Sequence, residues 1–347
     1  MVYATKPERR INGPLLVRRS RYNARLILHQ NKLPRYDGDA TMTHNTTTRR
    51  DFLALMSAMG ISGLAPGASL AQEQMPRRLI PGSNESLPII GLGSSKPVSQ
   101  IAEKGTGPIA EVLRALVANG GSVVDTWPRN PANDTAFGQV INEPDLRDAL
   151  FIATKIDQVG KEAGIEQFRA TQRLYQRETL DLVQVLSLTD LDTQWPNLKD
   201  WKASGTVHYI GVTVANEGLY EPLESFLKRE TPDFVQINYS ITERGAEERM
   251  LPMFEDLGVG VIINRPFMNG EYFRRLGQRP VPEWAGEFGC ESWAQFSLKY
   301  ILPHTAITCV LTETSNPAHM EENARAAYGR TPDAAEREKM KAVIDQV

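Results

Sequence analysis

The segment GGSVVDTWPRNPANDTAFG, Gly120–Gly138, decides how the chain folds. A Gly-Gly turn leads into Ser122–Asp125, a short β-branched run of the kind found in buried strands. The run ends on a carboxylate, crosses a proline-broken loop and passes into a helical pattern. A charge at the end of a buried strand is costly unless it is paired or used. The next apolar run, Leu150–Thr154, is followed directly by Lys155. Two neighbouring strands thus end on opposite charges at one edge of a sheet, and Asp125 and Lys155 mark the expected chemical centre.

Outward from that segment, short apolar runs alternate with helical patterns. The predicted strands are Leu87–Leu92, Ser122–Asp125, Leu150–Thr154, Asp181–Val185, Val207–Val212, Phe234–Ile237, Val259–Ile263 and Ile307–Leu311. Ile109, Leu113, Leu116 and Val117 share one helical face, which Asn119-Gly120-Gly121 closes as a left-handed cap does. Met250, Leu251, Phe254 and Leu257 repeat this before Gly258, and Asn316-Pro317 reads as an N-cap followed by proline at N1. Eight strands alternating with helices predict an α/β fold, a closed (β/α)8 TIM barrel in a single domain. No Gly-x-Gly-x-x-Gly turn opens a helix after a strand, and Gly91–Lys96 is a partial match in a loop. The barrel is expected over residues 79–330. Residues 331–347 read as a charged helix over its bottom or side.

Barrel enzymes place their chemistry at the C-terminal ends of the strands. Those positions are Asp125, Lys155, Leu186, Thr213, Gln236 through Tyr239, Asn264-Arg265 and Thr312 through Asn316. Asp125 and Lys155 read there either as a reacting pair or as a salt bridge kept for barrel closure. The long loop Pro266–Glu291 is expected to cover the mouth, with Phe267, Tyr272, Phe273 and Trp284 as candidate lining.

At 347 residues and 41% hydrophobic content the chain can bury a large core, and a net charge of -3 argues against a general nucleic-acid binder. Five histidines without ligand spacing and scattered carboxylates predict no metal site. Cys290 and Cys309 read as separate buried thiols. Residues 1–41 are basic and unpatterned, expected to be unstructured or an over-extended reading frame ahead of a true start at Met42. Residues 42–71 carry Arg49-Arg50, a modest apolar run to Leu64 and the small-residue end Ser69-Leu70-Ala71, the pattern of a twin-arginine signal peptide. The run falls short of the roughly twenty residues that span a bilayer, so no stable membrane span is expected. The twin-arginine translocase is the expected partner during export, and the periplasm of a bacterium the destination.

Seven stretches together carry a family resemblance: VVDT (Val123–Thr126), IATK (Ile152–Lys155), DLVQV (Asp181–Val185), YIGVT (Tyr209–Thr213), VQINYS (Val235–Ser240), VIINRPF (Val261–Phe267) and TSNPAHMEENARA (Thr314–Ala326). In this order the chain resembles the aldo/keto reductases, and within them a bacterial subgroup exported by the twin-arginine route. The resemblance implies an NADP(H)-dependent barrel that reduces carbonyls with an Asp, Tyr, Lys, His set. Asp125 and Lys155 match. Asn130 stands where the resemblance expects the tyrosine, Leu186 where it expects the histidine, and His208 lies at the wrong end of its strand. Thr213, Gln236, Asn264, Arg265, Thr314, Ser315, Glu322 and Asn323 fall at implied cofactor-binding positions. Val214 replaces an expected carboxamide-binding polar residue, Asn264 an aromatic that stacks on the nicotinamide. Glu313 and His319 occupy a region where the resemblance implies basic residues.

Hydride delivered to a carbonyl carbon leaves charge on oxygen, which needs a proton and a stabilising donor. An amide donates a hydrogen bond but no proton near neutral pH, and leucine does neither. Loss of a general acid typically costs about 10²–10⁴ in rate. Three functions stay open: a barrel that has lost reductase chemistry and binds a small carbonyl, a nucleotide or a partner; an active oxidoreductase using Tyr239, Arg129 or a water held by Asn130; and an imine-forming enzyme built on Lys155. N-terminal sequencing of the native exported protein is expected to begin at Gln72. A folded 1–41 segment at its start would overturn the export reading.

Overall fold

The computed structural model describes residues 74–347; the expected segments 1–41 and 42–71, with the export signal, lie outside the described residues. The described chain opens with a hairpin of β1 (Arg77–Leu79) and β2 (Ser86–Pro88), paired antiparallel. Eight parallel strands follow: β3 (Ile90–Gly93), β4 (Val123–Asp125), β5 (Phe151–Ile156), β6 (Leu180–Leu186), β7 (Val207–Thr213), β8 (Phe234–Asn238), β9 (Gly260–Asn264) and β10 (Cys309–Thr312). They close into a barrel in sequence order, with β10 completing the ring against β3. This is the (β/α)8 fold the alternating pattern predicts.

Helices follow the strands: α1 (Ser95–Ser99), α2 (Ile101–Lys104), α3 (Gly107–Ala118), α4 (Pro131–Val140), α5 (Lys161–Tyr175), α6 (Leu191–Ala203), α7 (Tyr220–Leu227), α8 (Met250–Leu257), α9 (Glu271–Leu276), α10 (Trp293–Ile301), α11 (Pro317–Arg325) and α12 (Ala334–Ile344). The predicted signals act locally. Gly120 follows α3 at φ 82° and Gly258 ends α8 at φ 63°, conformations that glycine adopts without steric cost. The Asn316 side chain accepts from Ala318 N–H ahead of Pro317. Helix α4 packs close against α5 at Gly138, where a Cβ would lie 1.8 Å from the Leu174 carbonyl oxygen.

Side-chain alternation sets the interior. Val123, Ala153, Leu182, Phe234, Ile262 and Cys309 belong to a buried cluster separate from the main core. Two residues further along the same strands, on the same face, stand Asp125, Lys155, Gln184, Gln236, Asn264 and Leu311. The barrel is therefore apolar in its middle and polar one layer higher, at the C-terminal mouth.

The hairpin departs from expectation. Leu87–Leu92 reads as one strand because its apolar run is unbroken, yet it holds the end of β2 and the start of β3. Both are buried for different reasons. Leu87 and Ile80 of the hairpin join the interior cluster and plug the barrel's N-terminal end, while Ile90 and Leu92 face the helices. Arg78 fastens the plug: its guanidinium donates to the carbonyls of His304 (2.8 Å), Ile307 and Leu302. Helix α12 lies against α10 at the side of the barrel, where Arg337 stacks 4.4 Å over the Tyr300 ring and donates to the Tyr300 carbonyl. Among the described residues no helix is long and apolar enough to cross a membrane.

Replacing Arg78 with Met removes a charged donor from three carbonyls while keeping the side-chain volume. A loss of about 2–3 kcal/mol is expected. It should appear in urea unfolding as a lower midpoint with an unchanged slope.

Candidate active site

Strands β4 and β5 pair in parallel and deliver Asp125 and Lys155 to the barrel mouth. Lys155 Nζ donates to Asp125 Oδ1 at 2.5 Å and to the Thr126 carbonyl at 3.2 Å. The side chains are 6% and 10% exposed, so each charge depends on the other. The second carboxylate oxygen accepts from Gln236 Nε2 at 3.4 Å, and Gln236 Oε1 accepts from Gln184 Nε2 at 2.9 Å. A polar chain thus crosses the interior from β5 through β4 and β8 to β6. Gln184 was not among the predicted site residues; its only signal is a polar residue at an inward position of the apolar run DLVQV.

Asn130 is exposed, and its side-chain oxygen accepts from the N–H groups of Ala132 (3.1 Å) and Asn133 (3.2 Å). It is the N-cap of α4, and Asp134 reciprocates by accepting from the backbone N–H of Arg129 and Asn130. That oxygen is committed to the helix. Leu186 ends β6, half-buried, in register with Thr213 of β7.

Each described tyrosine hydroxyl finds a partner other than the Lys155 amine. Tyr175 reaches Thr126 Oγ1 (2.9 Å), Tyr220 the Asn238 carbonyl and Tyr272 the Trp293 carbonyl. Tyr328 bonds the Asn119 carbonyl, and Tyr209 lies low in the barrel against Phe151 and Phe234. Tyr239, expected as a substitute donor, is fully buried and directed to Glu247, beside Tyr300 and Arg337 of α12. Burial beside that carboxylate drives its hydroxyl above the ordinary phenol range. The expectation fails because Tyr239 lies just past the end of β8, where the chain has turned toward the outer helices. Arg129 stacks 4.1 Å over Trp127. His208 sits near Asp181 at the start of β7, on the far side of the barrel from the mouth. Against imine chemistry stands the burial of the Lys155 amine between a carboxylate and a carbonyl.

A cavity of about 280 Å³ opens beside the pair, lined among others by Lys96, Asp125, Asn264, Arg265, Phe273 and Glu313. Asn264 Nδ2 donates to the Val214 carbonyl at 2.9 Å. Arg265, at a left-handed φ of 56°, donates to the Ala215 carbonyl at 3.1 Å and to Glu243 at 3.0 Å, tying three successive mouth loops together. Glu313 accepts from the Lys96 N–H at 3.0 Å, bridging the turns after β10 and β3. Lys96 was not predicted; the partial Gly91–Lys96 match was its only signal.

The predicted cofactor residues divide. Asn264 and Arg265 line the cavity, while Thr213 and Gln236 lie buried in the barrel mouth. Thr314, Ser315, Glu322 and Asn323 do not line it; the first two lie in the turn ahead of α11 and the other two within it. Thr314 Oγ1 accepts from Asn316 N–H, and the Glu322 carbonyl from Gln295. Of the loop aromatics, Phe267 and Phe273 line the cavity. Tyr272 is buried toward Trp293, and Trp284 packs on Phe288 and Phe296 under the Lys339 ammonium. Those two rings pack rather than line because the loop folds into α9 and a 3-10 turn, each with its own inner face. Among the described residues no group of three or more His, Cys, Asp or Glu is placed to hold a metal ion.

The family model described as "Aldo/keto reductase family" matches residues 90–344. No curated protein matches the chain. Solved structures do. An aldo-keto reductase from Bacillus halodurans in its holo form is 20% identical, with a TM-score of 0.62 over 78% of this chain and 96% of that one. One from Klebsiella pneumoniae in complex with NADPH is 19% identical, with a TM-score of 0.64 over the same shares. At that identity the likeness speaks for the fold.

Breaking the ion pair is expected to cost more than replacing it. Lys155→Met leaves a buried carboxylate without its partner and should lower unfolding free energy by about 3–5 kcal/mol. Lys155→Met with Asp125→Leu should recover most of that loss in urea titrations.

Proposed function

Because the chain belongs to the aldo/keto reductase family, we propose that it is an NADP(H)-binding oxidoreductase-type barrel whose carbonyl-reducing chemistry is lost or strongly impaired. Its remaining role is to bind a small ligand or a partner. One observation carries this reading: among the described residues Lys155 Nζ is hydrogen-bonded to Asp125 and Thr126 alone, with neither a phenol nor an imidazole on it.

The residues present fit a nicotinamide dinucleotide. Asn264 Oδ1 is a buried acceptor without a partner among the described residues, on a side chain that lines the cavity. The capped N-terminus of α11 follows β10 at the same mouth and favours an anion. Asn264 and Arg265 would hold the near part of the group, and Thr314, Ser315 and Asn323 the part toward α11. When bound, it supplies a hydride. The chain's own side must then stabilise and protonate the carbonyl oxygen. The Asp125–Lys155 pair offers a fixed local charge arrangement, with two of the three ammonium protons given to a carboxylate and a carbonyl. Asn130, exposed and capping α4, and Leu186, apolar, supply no general acid.

Export to the periplasm by the twin-arginine translocase, with cleavage near Ala71, belongs to the same proposal and is supported by Arg49-Arg50 and the run that follows. The route carries folded proteins, so a dinucleotide bound in the cytoplasm would travel with the chain.

Titration of the purified protein with NADPH, followed by cofactor fluorescence, is expected to show binding without turnover of small aldehydes. Ready turnover would sink the proposal and restore an active reductase with a substitute donor. The double substitution Asn130→Tyr with Leu186→His is expected to raise reductase activity by about 10²-fold or more. Thermal unfolding would monitor the lost cap, worth about 1 kcal/mol. No gain would place the main lesion in the cleft.

A further inference from the structure

We propose, resting on the reading of the barrel mouth as a ligand site, that the Arg129–Trp127 stack on its β4–β5 side takes a small carboxylate with an apolar or aromatic body. Both residues stand on the loop between Asp125, which lines the cavity, and α4. That loop is fixed along its length. The Thr126 N–H donates to the Ala153 carbonyl at 2.8 Å, and the Thr126 hydroxyl meets Tyr175. Pro128 sets its own φ and restricts the residue before it. Further on, the Asp134 carboxylate accepts from the N–H groups of Arg129 (2.8 Å) and Asn130 (2.7 Å).

The side chains are placed as firmly as the backbone. Trp127 Nε1 donates to Asp157 Oδ2 at 3.1 Å, and the other oxygen of that carboxylate accepts from Gln167 and Gln158. The indole is thereby fastened to the turn after β5, and the Arg129 guanidinium lies 4.1 Å over its ring. Such a contact uses one face of the guanidinium and leaves the N–H groups at its edge available. Arg129 is exposed, and among the described residues no hydrogen bond or ion pair engages that edge. Asp134, the carboxylate its charge acts on, is buried and accepts from backbone N–H groups instead. An arginine fork matches a carboxylate through two parallel N–H···O bonds. The surroundings choose the rest of the ligand. Val159, two residues beyond Asp157, is 74% exposed, and Leu186 ends the next strand half-buried. An apolar body laid on this side covers valine and indole. The cavity on the other side of Asp125, with Lys96, Asn264, Arg265 and Glu313, is lined for a polar group.

The test titrates the full chain with three ligands, followed by ligand-observed NMR. Benzoate carries both features, benzyl alcohol keeps the ring without the carboxylate, and acetate keeps the carboxylate without the ring. Benzoate is expected to bind about tenfold more tightly than either, the usual consequence of adding a hydrogen bond to a charged group or an apolar contact of that size. Arg129→Gln, at an exposed position, should bring benzoate down to the level of benzyl alcohol, and Trp127→Leu toward that of acetate. Equal affinity of benzoate and benzyl alcohol, no binding of benzoate, or a preference that survives Arg129→Gln would each overturn the inference. Should Trp127→Leu not fold, the ligand ranking and Arg129→Gln decide. NADPH titrated against Arg129→Gln separates this inference from the reading of the cavity as a dinucleotide cleft. Unchanged NADPH binding is expected. A tenfold loss would assign Arg129 to a dinucleotide phosphate, overturning the inference and upholding the cleft. Failure of NADPH to bind the unsubstituted protein would sink the cleft reading, and the benzoate ranking would still decide the inference.

Discussion

Two opposite charges held inside a closed barrel impose the conditions the rest of the mouth must meet. Neither Asp125 nor Lys155 has enough water around it to bear its charge alone, so the carboxylate, the Thr126 carbonyl, Gln236 and Gln184 form one connected set. The barrel makes this possible by register: five strands bring polar residues to the same level above an apolar middle. The bonds that make the pair tolerable also occupy two of its three ammonium protons.

The rim is built on ties between loops rather than on the strands. Arg265, in a backbone conformation unfavourable for a side chain with a Cβ, is kept there by Ala215 and Glu243. Glu313 joins the first βα turn to the last through the Lys96 N–H. Glu247 gathers Tyr239, Tyr300 and Arg337, so that the C-terminal helix is anchored by a half-buried ionic cluster as well as by Met340 and Ile344. The cavity's walls are thus made of segments distant in sequence, each held by a charge.

What was legible in the sequence follows from which signals are local. The strands of the barrel, the caps at Gly120, Gly258 and Asn316, and the placing of Asp125 and Lys155 at strand ends all depend on residues within one turn or one pleat. The plug hairpin was hidden because a run buried on two successive strands looks like one strand. Tyr239 and Trp284 were misplaced because the direction of a side chain beyond a strand's end depends on how the loop turns, which only tertiary packing decides. Gln184 and Lys96 carry no clear local signal, since neither breaks a pattern strongly enough.

Asn130 shows what another side chain at this mouth would displace. Its oxygen begins α4, and Asp134 answers from inside the same first turn. A lineage that exchanged this asparagine for an aromatic alcohol would fray a helix before it gained a proton source, and the gain would stay small while an aliphatic group sat at position 186. Each single step is unrewarded. A phenol at this mouth therefore competes with the start of a helix for the same position in the chain.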